Sequence, residues 1–318
     1  MPISFDNQAW RRLDPGFEAP TFNPPLQTLR QFAGRDNVIF LHVGKCAGES
    51  IIRAMAQGFG THVTCFEYHS FDANQVIRDL LMADEILERG RRLVFLVATR
   101  DPINRWFSSF NWDLHDLVLS KGDSLEGGLR RFPRASDLAL GIARGDAEAL
   151  RLARTNHMGM GLSWYLPLDL LPRLAGHRIY EIRQEHADQD FARFIDDFRS
   201  FTGTSLRRSI SHWLRHRRLR PRLPRSKDQY KAMYAPGTFA SPGECDPQTL
   251  SCLRDFLEAD YAVNLGLRRL IQHQRRGLGR PERTGPVEGS DLVDLSSWIH
   301  AAGGRSSVTP PPASRPAA

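Results

Sequence analysis

Residues 38–50 read VIFLHVGKCAGES, an apolar run that ends abruptly in a loop with two glycines, a lysine and a serine. Residues 51–55, IIRAM, are amphipathic, so the predicted order is strand, lysine-bearing loop, helix. The start of a helix attracts an anion through its backbone N–H groups and its dipole. Gly44 and Gly48 allow the backbone to approach that anion, and Lys45 adds a positive charge. This order predicts a phosphate-binding loop.

Strand and helix patterns alternate along the rest of the chain. Further strands are predicted at 62–66, 93–98 and 177–182, and helices at 72–89, from Pro102 onward, at 146–159, at 188–201 and within 246–270. Such alternation is typical of a mostly parallel, doubly wound α/β sheet, whose ligands bind beyond the carboxyl ends of the strands. The loops after residues 43 and 98 both lie at that edge.

Composition divides the chain into three parts. Residues 1–36, rich in proline and aromatic residues, are predicted to be an extended segment that packs on the domain of residues 37–272. Residues 273–318 become polar and then rich in proline and serine, which predicts a largely disordered tail. A chain of 318 residues with 41% hydrophobic content can bury a sizeable core.

Charge and targeting signals restrict the classes of partner. The net charge of +7 favours an anionic partner. The basic stretch 212–227 contains no aromatic residue beyond Trp213, so nucleic acid is not the expected partner. No apolar run approaches the roughly 20 residues of a membrane span, and the first residues lack a signal-peptide pattern. We therefore expect a cytoplasmic protein whose contact with membranes is at most a transient one with their surface.

The first loop differs from the ordinary nucleotide P-loop. That motif, GxxxxGK[ST], places its lysine directly before the hydroxyl group that binds Mg²⁺. Here Lys45 comes early, Glu49 stands where the lysine is usual, and Ser50 follows it. A site for a Mg²⁺-nucleotide is therefore not expected, whereas an anion site is; a ligand-free turn is the alternative. The four cysteines show no CxxC spacing, so no metal site is predicted.

A second motif follows the next buried strand. Residues 99–110 read TRDPINRWFSSF, with Arg100 at the end of the strand and Ser108 about two turns into the following helix. Arginine binds a phosphate through two parallel hydrogen bonds, and serine adds one more donor. A local ion pair between Arg100 and Asp101 is the alternative interpretation.

Together the motifs resemble the two cofactor-binding signatures of sulfotransferases that use 3′-phosphoadenosine 5′-phosphosulfate, of the Golgi type and related bacterial enzymes. Their first signature reads roughly H-(I/V)-P-K-T-G-G-T-S, where residues 42–50 of this chain read HVGKCAGES. The second reads R-(D/N)-P-(I/V)-x-R-(F/W/Y)-x-S-x-(F/Y), and residues 100–110, RDPINRWFSSF, match it almost completely. A weaker similarity covers residues 180–190, and the whole resemblance covers about 37–270.

The resemblance implies a P-loop-like three-layer sandwich with a central, mostly parallel sheet. It also implies transfer of a sulfuryl group by in-line displacement to a hydroxyl acceptor, with a carbohydrate or glycoconjugate favoured and no metal required. Arg100 and Ser108 would hold the 3′-phosphate, with Arg225 and Lys227 as further candidates. The 5′-phosphosulfate would be held by the loop residues Gly44, Lys45, Cys46, Ala47, Gly48, Glu49 and Ser50, of which Gly44, Cys46, Ala47 and Glu49 depart from the family pattern.

The catalytic residues follow from the same resemblance. Lys45 would neutralise the charge that develops on the leaving oxygens. A hydroxyl acceptor also needs a base, and His69, which follows the second strand, is the first choice. Glu67 is the second choice and His62 the third. Among the remaining candidates, His42 is expected to be a buried core residue, Trp106 and Phe107 are expected in the core, and Asn156-His157 is expected to line the acceptor cleft.

Two other classes of function stay open. The first is a P-loop kinase or NTPase, which the missing GK[ST] order and the presence of Arg100 and Ser108 disfavour. The second is a non-catalytic protein that binds anions or nucleic acid through the basic stretch 212–227.

Overall fold

The structure, a computed structural model, describes residues 21–22, 36–58, 63–69, 72–82, 93–120, 127–202 and 239–278. Its strands are β1 Thr21–Phe22, β2 Asp36–Leu41, β3 Val63–Tyr68, β4 Val94–Thr99 and β5 Arg178–Arg183. Its α-helices are α1 Gly48–Gly58, α2 Ala73–Met82, α3 Pro102–Trp112, α4 Ala135–Ala143, α5 Ala147–Leu152, α6 Asn156–Gly159, α7 Leu162–Tyr165, α8 Leu171–Leu174, α9 Ala187–Thr202, α10 Pro247–Phe256 and α11 Glu258–Leu278. A π-helix, Asp113–Ser120, continues α3, and 3₁₀ turns lie at Gly127–Arg131, Leu168–Leu170, Gln184–His186 and Pro242–Glu244.

All the described strands are parallel and lie in the order β1-β3-β2-β4-β5. The chain passes from β2 to β3 on one side and then crosses β2 to place β4 on its other side. The point where the order reverses therefore lies between β2 and β4, which are adjacent, with Leu41 opposite Val97. Open parallel sheets bind their ligands at such a point. The predicted parallel α/β sheet is confirmed, and it brings the two motifs to one place.

The apolar side chains form two clusters. The first surrounds the sheet and includes residues of α1, α2, α7, α8, α9 and α11; β4 is buried along its whole length, as in a strand covered on both faces. The second cluster lies around α3 and includes residues of α4, α5 and α10. Trp106 and Phe107 belong to it and are core residues, as predicted.

Several predicted boundaries shift. The strand predicted at 38–43 ends at Leu41, so His42 and Val43 already belong to the loop. The helix predicted within 246–270 is two helices, α10 and α11, and α11 continues to Leu278. Residues 273–278, predicted to belong to a largely disordered tail, are therefore helical; residues 279–318 lie outside the described residues. Of the extended segment 1–36, Thr21–Phe22 pairs with β3 at the sheet edge. Every helix within the described ranges is too short or too polar to cross a lipid bilayer.

The sequence determines where α3 begins. Asp101 is the N-cap residue, and its carboxylate accepts a hydrogen bond of 2.9 Å from the Asn104 backbone N–H. Pro102 occupies the first helical turn, where a missing N–H costs nothing. The helix therefore starts directly after Arg100, at the carboxyl end of β4.

The segment with the weaker family similarity has a clear structural role. Arg183 at the end of β5 donates two hydrogen bonds of 2.8 Å to the carboxylate of Asp190, which is buried in the first turns of α9. The same carboxylate accepts the Arg183 backbone N–H at 3.1 Å. This arrangement joins the strand to the helix that covers it.

We expect Asp190→Asn to lower the free energy of unfolding by about 1–3 kcal/mol, because a charge-assisted, partly buried contact is lost. The matched control is Glu148→Gln, which breaks the exposed contact with Arg151 and should change stability by less than about 0.5 kcal/mol. Urea denaturation followed by circular dichroism measures both. Equal effects of the two substitutions would contradict this role for Asp190.

Candidate functional site

The loop between β2 and α1 has a strained backbone. Lys45 has φ 67° and Ala47 has φ 64°, in the left-handed region that side chains other than glycine seldom adopt. The Cys46 N–H donates to the Val43 carbonyl at 3.3 Å, and the Ile51 N–H donates to the Ala47 carbonyl at 3.1 Å. Strain of this kind at non-glycine residues concentrates at functional sites.

Histidine side chains lie close to both glycines of the loop. A Cβ on Gly48 would lie 1.8 Å from Cδ2 of His42, so only glycine fits there. A Cβ on Gly44 would lie 3.3 Å from Cδ2 of His157 and 3.7 Å from Cε1 of His69. The absence of a side chain at position 48 therefore lets the loop pack against the His42 ring. It would also let a ligand approach the backbone closely.

His42 is a buried, hydrogen-bonded residue, as predicted. It is 8% exposed, its Nδ1 lies 2.5 Å from Oε1 of Glu67, and its backbone N–H donates to the Tyr68 carbonyl. Burial raises the pKa of Glu67 to about 7 against the opposing charge of His69. Glu67, the second choice for the base, thus supports His42 beneath the loop.

His69, the first choice for the base, lies at the loop. Its Nδ1 is 2.7 Å from the His42 carbonyl oxygen, so Nδ1 carries the hydrogen and Nε2 the lone pair. Its ring stacks on that of His42 with centroids 4.1 Å apart, and the Tyr165 hydroxyl lies 3.3 Å from Nδ1. Burial, followed by the charge of His42, lowers the pKa of His69 well below its usual value, so the ring is neutral near pH 7.

His157 completes a row of three histidines. Its ring centroid lies 6.5 Å from that of His69, and its Nδ1 lies 2.6 Å from Oδ1 of the fully buried Asp113. Burial raises the pKa of Asp113 to about 7, although the positive charge of Lys45 opposes the shift. The structure thus places a histidine–carboxylate pair beside the loop.

Lys45 connects the loop to α3. Its Nζ lies 3.5 Å from the centroid of the Trp112 ring, which is a cation–π contact, and the residue is buried. Its backbone carbonyl accepts a hydrogen bond of 3.3 Å from Nη1 of Arg100. The two sequence motifs are therefore in direct contact at the point between β2 and β4.

Arg100 is half-buried, and its Nε has no hydrogen-bond partner among the described residues. Burial lowers the pKa of its guanidinium group. The carboxylate of Asp101 caps α3 and accepts a hydrogen bond from the Tyr261 hydroxyl at 3.2 Å. A buried donor without a partner is rare in proteins, so Arg100 has the capacity to bind an added acceptor.

The other residues predicted for the site lie on α3, at the start of α1 and in the loop, or fall outside the described residues. Ser108 is half-buried on α3, and Glu49 and Ser50 lie in the first turn of α1. Cys46 is buried, its Sγ donates to the Gly44 carbonyl at 3.7 Å, and burial raises the pKa of its thiol to about 12. The thiol is therefore protonated and belongs to the loop structure. His62, Arg225 and Lys227 lie outside the described residues.

Arg105 fixes the segment that carries His157. It is 2% exposed, and its guanidinium group donates to the carbonyls of His157 at 2.7 Å and Met158 at 2.8 Å. Arg105, Ser109 and Asp113 are all buried and follow one face of the helix at intervals of four residues. Arg105 lies within the second signature, but no role is predicted for any of the three; a buried polar stripe among otherwise apolar buried positions is the signal that indicates one.

Among the described residues, no group of three or more His, Cys, Asp or Glu side chains is arranged to hold a metal ion. Comparisons with protein-family models, with curated proteins and with solved structures found no match to this chain. A function therefore has to be inferred from the residues of the site.

Gly48→Ala should lower the free energy of unfolding by about 1–3 kcal/mol, because the added Cβ collides with the His42 ring. The loss is expected although alanine favours a helix more than glycine does. The control is Gly243→Ala, whose Cβ would meet only the Ser241 hydroxyl at 3.9 Å and should be nearly neutral. Thermal unfolding of both variants is the measurement, and an unchanged melting temperature for Gly48→Ala would rule out the close contact.

Proposed function

We propose that this chain is a sulfotransferase that uses 3′-phosphoadenosine 5′-phosphosulfate as the donor and a hydroxyl group as the acceptor. On this proposal the parallel sheet belongs to a P-loop-like three-layer sandwich, and a carbohydrate or glycoconjugate is the favoured acceptor. The observation that carries the proposal is the contact of Arg100 with the Lys45 carbonyl between β2 and β4. This contact joins the two motifs that resemble the family signatures.

The residues at this point fit an adenosine 3′,5′-bisphosphate group. Loop 44–50 leads into the start of α1, which favours a negative group, and would hold the 5′-phosphosulfate. Arg100 has an unpartnered Nε and would hold the 3′-phosphate together with Ser108. When bound, the donor would supply an activated sulfuryl group.

The chain's own residues would supply orientation, charge and a proton acceptor. Lys45 carries the positive charge of the loop and would neutralise charge on the leaving oxygens. The proton of the acceptor hydroxyl could pass to either of the two histidines beside Gly44. These are His69, which the sequence predicts as the base, and His157. Sulfuryl transfer, like phosphoryl transfer, needs alignment and charge stabilisation more than covalent catalysis.

The other two classes have less support. A kinase or NTPase would need the GK[ST] order that binds Mg²⁺, and residues 44–50 lack it. A nucleic-acid-binding protein would use the basic stretch 212–227, which lies outside the described residues and contains Trp213 as its sole aromatic residue.

Isothermal titration calorimetry with 3′-phosphoadenosine 5′-phosphate tests the proposal. We expect binding without Mg²⁺ and an affinity at least tenfold higher than for AMP, because only the first ligand carries a 3′-phosphate. Arg100→Met should weaken that binding by about 10–100-fold, as expected for the loss of a charge-assisted contact of about 1.5–3 kcal/mol.

The control is Arg151→Met, which removes an exposed arginine whose guanidinium group pairs with Glu148 and should leave the affinity unchanged. Equal affinities for 3′-phosphoadenosine 5′-phosphate and AMP would contradict the assignment of Arg100 and Ser108. Failure of the wild-type protein to bind either ligand would contradict the proposed function as a whole.

A further inference from the structure

We infer that His157, oriented by Asp113, accepts the proton of the acceptor hydroxyl, and that His69 is a positioning residue. The inference rests on the proposed function and deepens it, because it names the base and its supporting carboxylate. The sequence pattern favours His69 instead, and the contacts of the two histidines distinguish them.

The tautomer of His157 suits a base. Its Nδ1 lies 2.6 Å from the Asp113 carboxylate, so Nδ1–H donates to the carboxylate and Nε2 carries the lone pair. The neighbouring Cδ2 is the ring atom nearest to the position of a Cβ on Gly44, at 3.3 Å. Cδ2, the carbon bonded to Nε2, therefore lies beside the loop proposed to hold the donor.

The two histidines differ in what would stabilise the imidazolium ion after it forms. The Asp113 carboxylate contacts His157 directly, as the third member of a catalytic triad contacts its histidine. The Nδ1 of His69 contacts a carbonyl and a hydroxyl, and the Glu67 carboxylate is hydrogen-bonded to His42. The stacked His42 ring also disfavours a positive charge on His69.

The backbone holds His157 in a fixed position. Arg105 donates to the carbonyls of His157 and Met158, and Asn156, the residue before His157, has φ 40°. Asp113 starts a π-helix directly after α3, and π-type turns inside helices are frequent at functional sites. A surface histidine would not require this degree of support.

The proposed reaction is a direct displacement at sulfur. The acceptor oxygen forms a bond to sulfur while the bond between sulfur and the 5′-phosphate oxygen breaks. The hydroxyl proton passes to Nε2 of His157, and the positive charge that results is compensated by Asp113. The leaving oxygen keeps the electron pair of the broken bond, and Lys45 neutralises the negative charge that this oxygen gains. No oxidant or metal enters the balance.

The charged and titratable groups around His157 determine the pH dependence. These groups are Asp113, which directly follows α3, Lys45 in the loop, Arg105 on α3 and His69, which directly follows β3. Because burial raises the pKa of Asp113 to about 7, its carboxyl group is increasingly protonated below that pH and then donates to Nδ1. Nε2 would then carry the hydrogen, so transfer should decline as the pH falls below about 7.

The test combines binding, proton position and turnover in the full-length chain. Nitrogen NMR of the imidazole groups should show wild-type His157 with its hydrogen on Nδ1, and Asp113→Asn should lower the pKa of His157. His157→Gln should bind 3′-phosphoadenosine 5′-phosphate within about twofold of wild type by calorimetry. It should also reduce consumption of the donor, with a mixture of sugars and phenols or with water as acceptor, by about 10²–10⁴-fold.

The matched variants separate the possible outcomes. His69→Gln should reduce donor consumption less than tenfold, and His273→Gln, on the exposed face of α11, should leave it unchanged. A His157→Gln variant with near-normal turnover, or a wild-type His157 with its hydrogen on Nε2, would overturn the inference and leave the proposed function intact. Loss of ligand binding in the wild-type protein would instead reject the proposed function.

Discussion

The buried guanidinium group of Arg105 is the interaction on which the arrangement of the site depends. It lies between α3 and the segment from His157 to Met160, and the carboxylate of Asp260 on α11 is 3.7 Å away. A charge in this position is stable only if carbonyls and a carboxylate replace the water that it loses. Removing one partner of such a buried group typically costs about 3–5 kcal/mol. Three parts of the chain are therefore held in one relative arrangement.

The helix that carries Arg105 contributes to the site at both of its ends. At its start, Asp101 caps the helix directly after Arg100, whose guanidinium group reaches the carbonyl of Lys45. At its end, Trp112 contacts the Lys45 ammonium group and Asp113 contacts His157. One rigid helix therefore lies against both the loop of the first motif and the segment that carries His157. The parallel sheet adds the second requirement, because it places the carboxyl ends of β2 and β4 side by side.

The sequence predicts the strands β2 to β5 and the two motifs, for local reasons. Continuous apolar runs predict buried strands, and Asp101-Pro102 predicts the start of a helix. The general rule that ligands of parallel sheets bind beyond the carboxyl ends of the strands predicts that the loops after β2 and β4 lie at one edge. These are properties of short segments or of the fold class, so they can be read from one sequence.

The contacts among the histidines cannot be predicted in the same way, because they join residues far apart in the chain. His157 and Asp113 are separated by 44 residues, and His42 and Glu67 by 25. The requirement for glycine at position 48 likewise comes from the ring of His42 and not from a ligand alone. The extension of α11 beyond residue 270 is missed for a different reason: residues 273–276 are polar, yet they continue the helix.

The most direct test of the central claim is a crystal structure of the chain with 3′-phosphoadenosine 5′-phosphate. The account predicts the 5′-phosphate against residues 44–50 and the 3′-phosphate within hydrogen-bonding distance of Arg100 and Ser108. It also predicts that the Nε2 edge of His157 faces the same cleft. Density for the ligand at another surface, or a 3′-phosphate that points into solvent away from Arg100, would contradict the account.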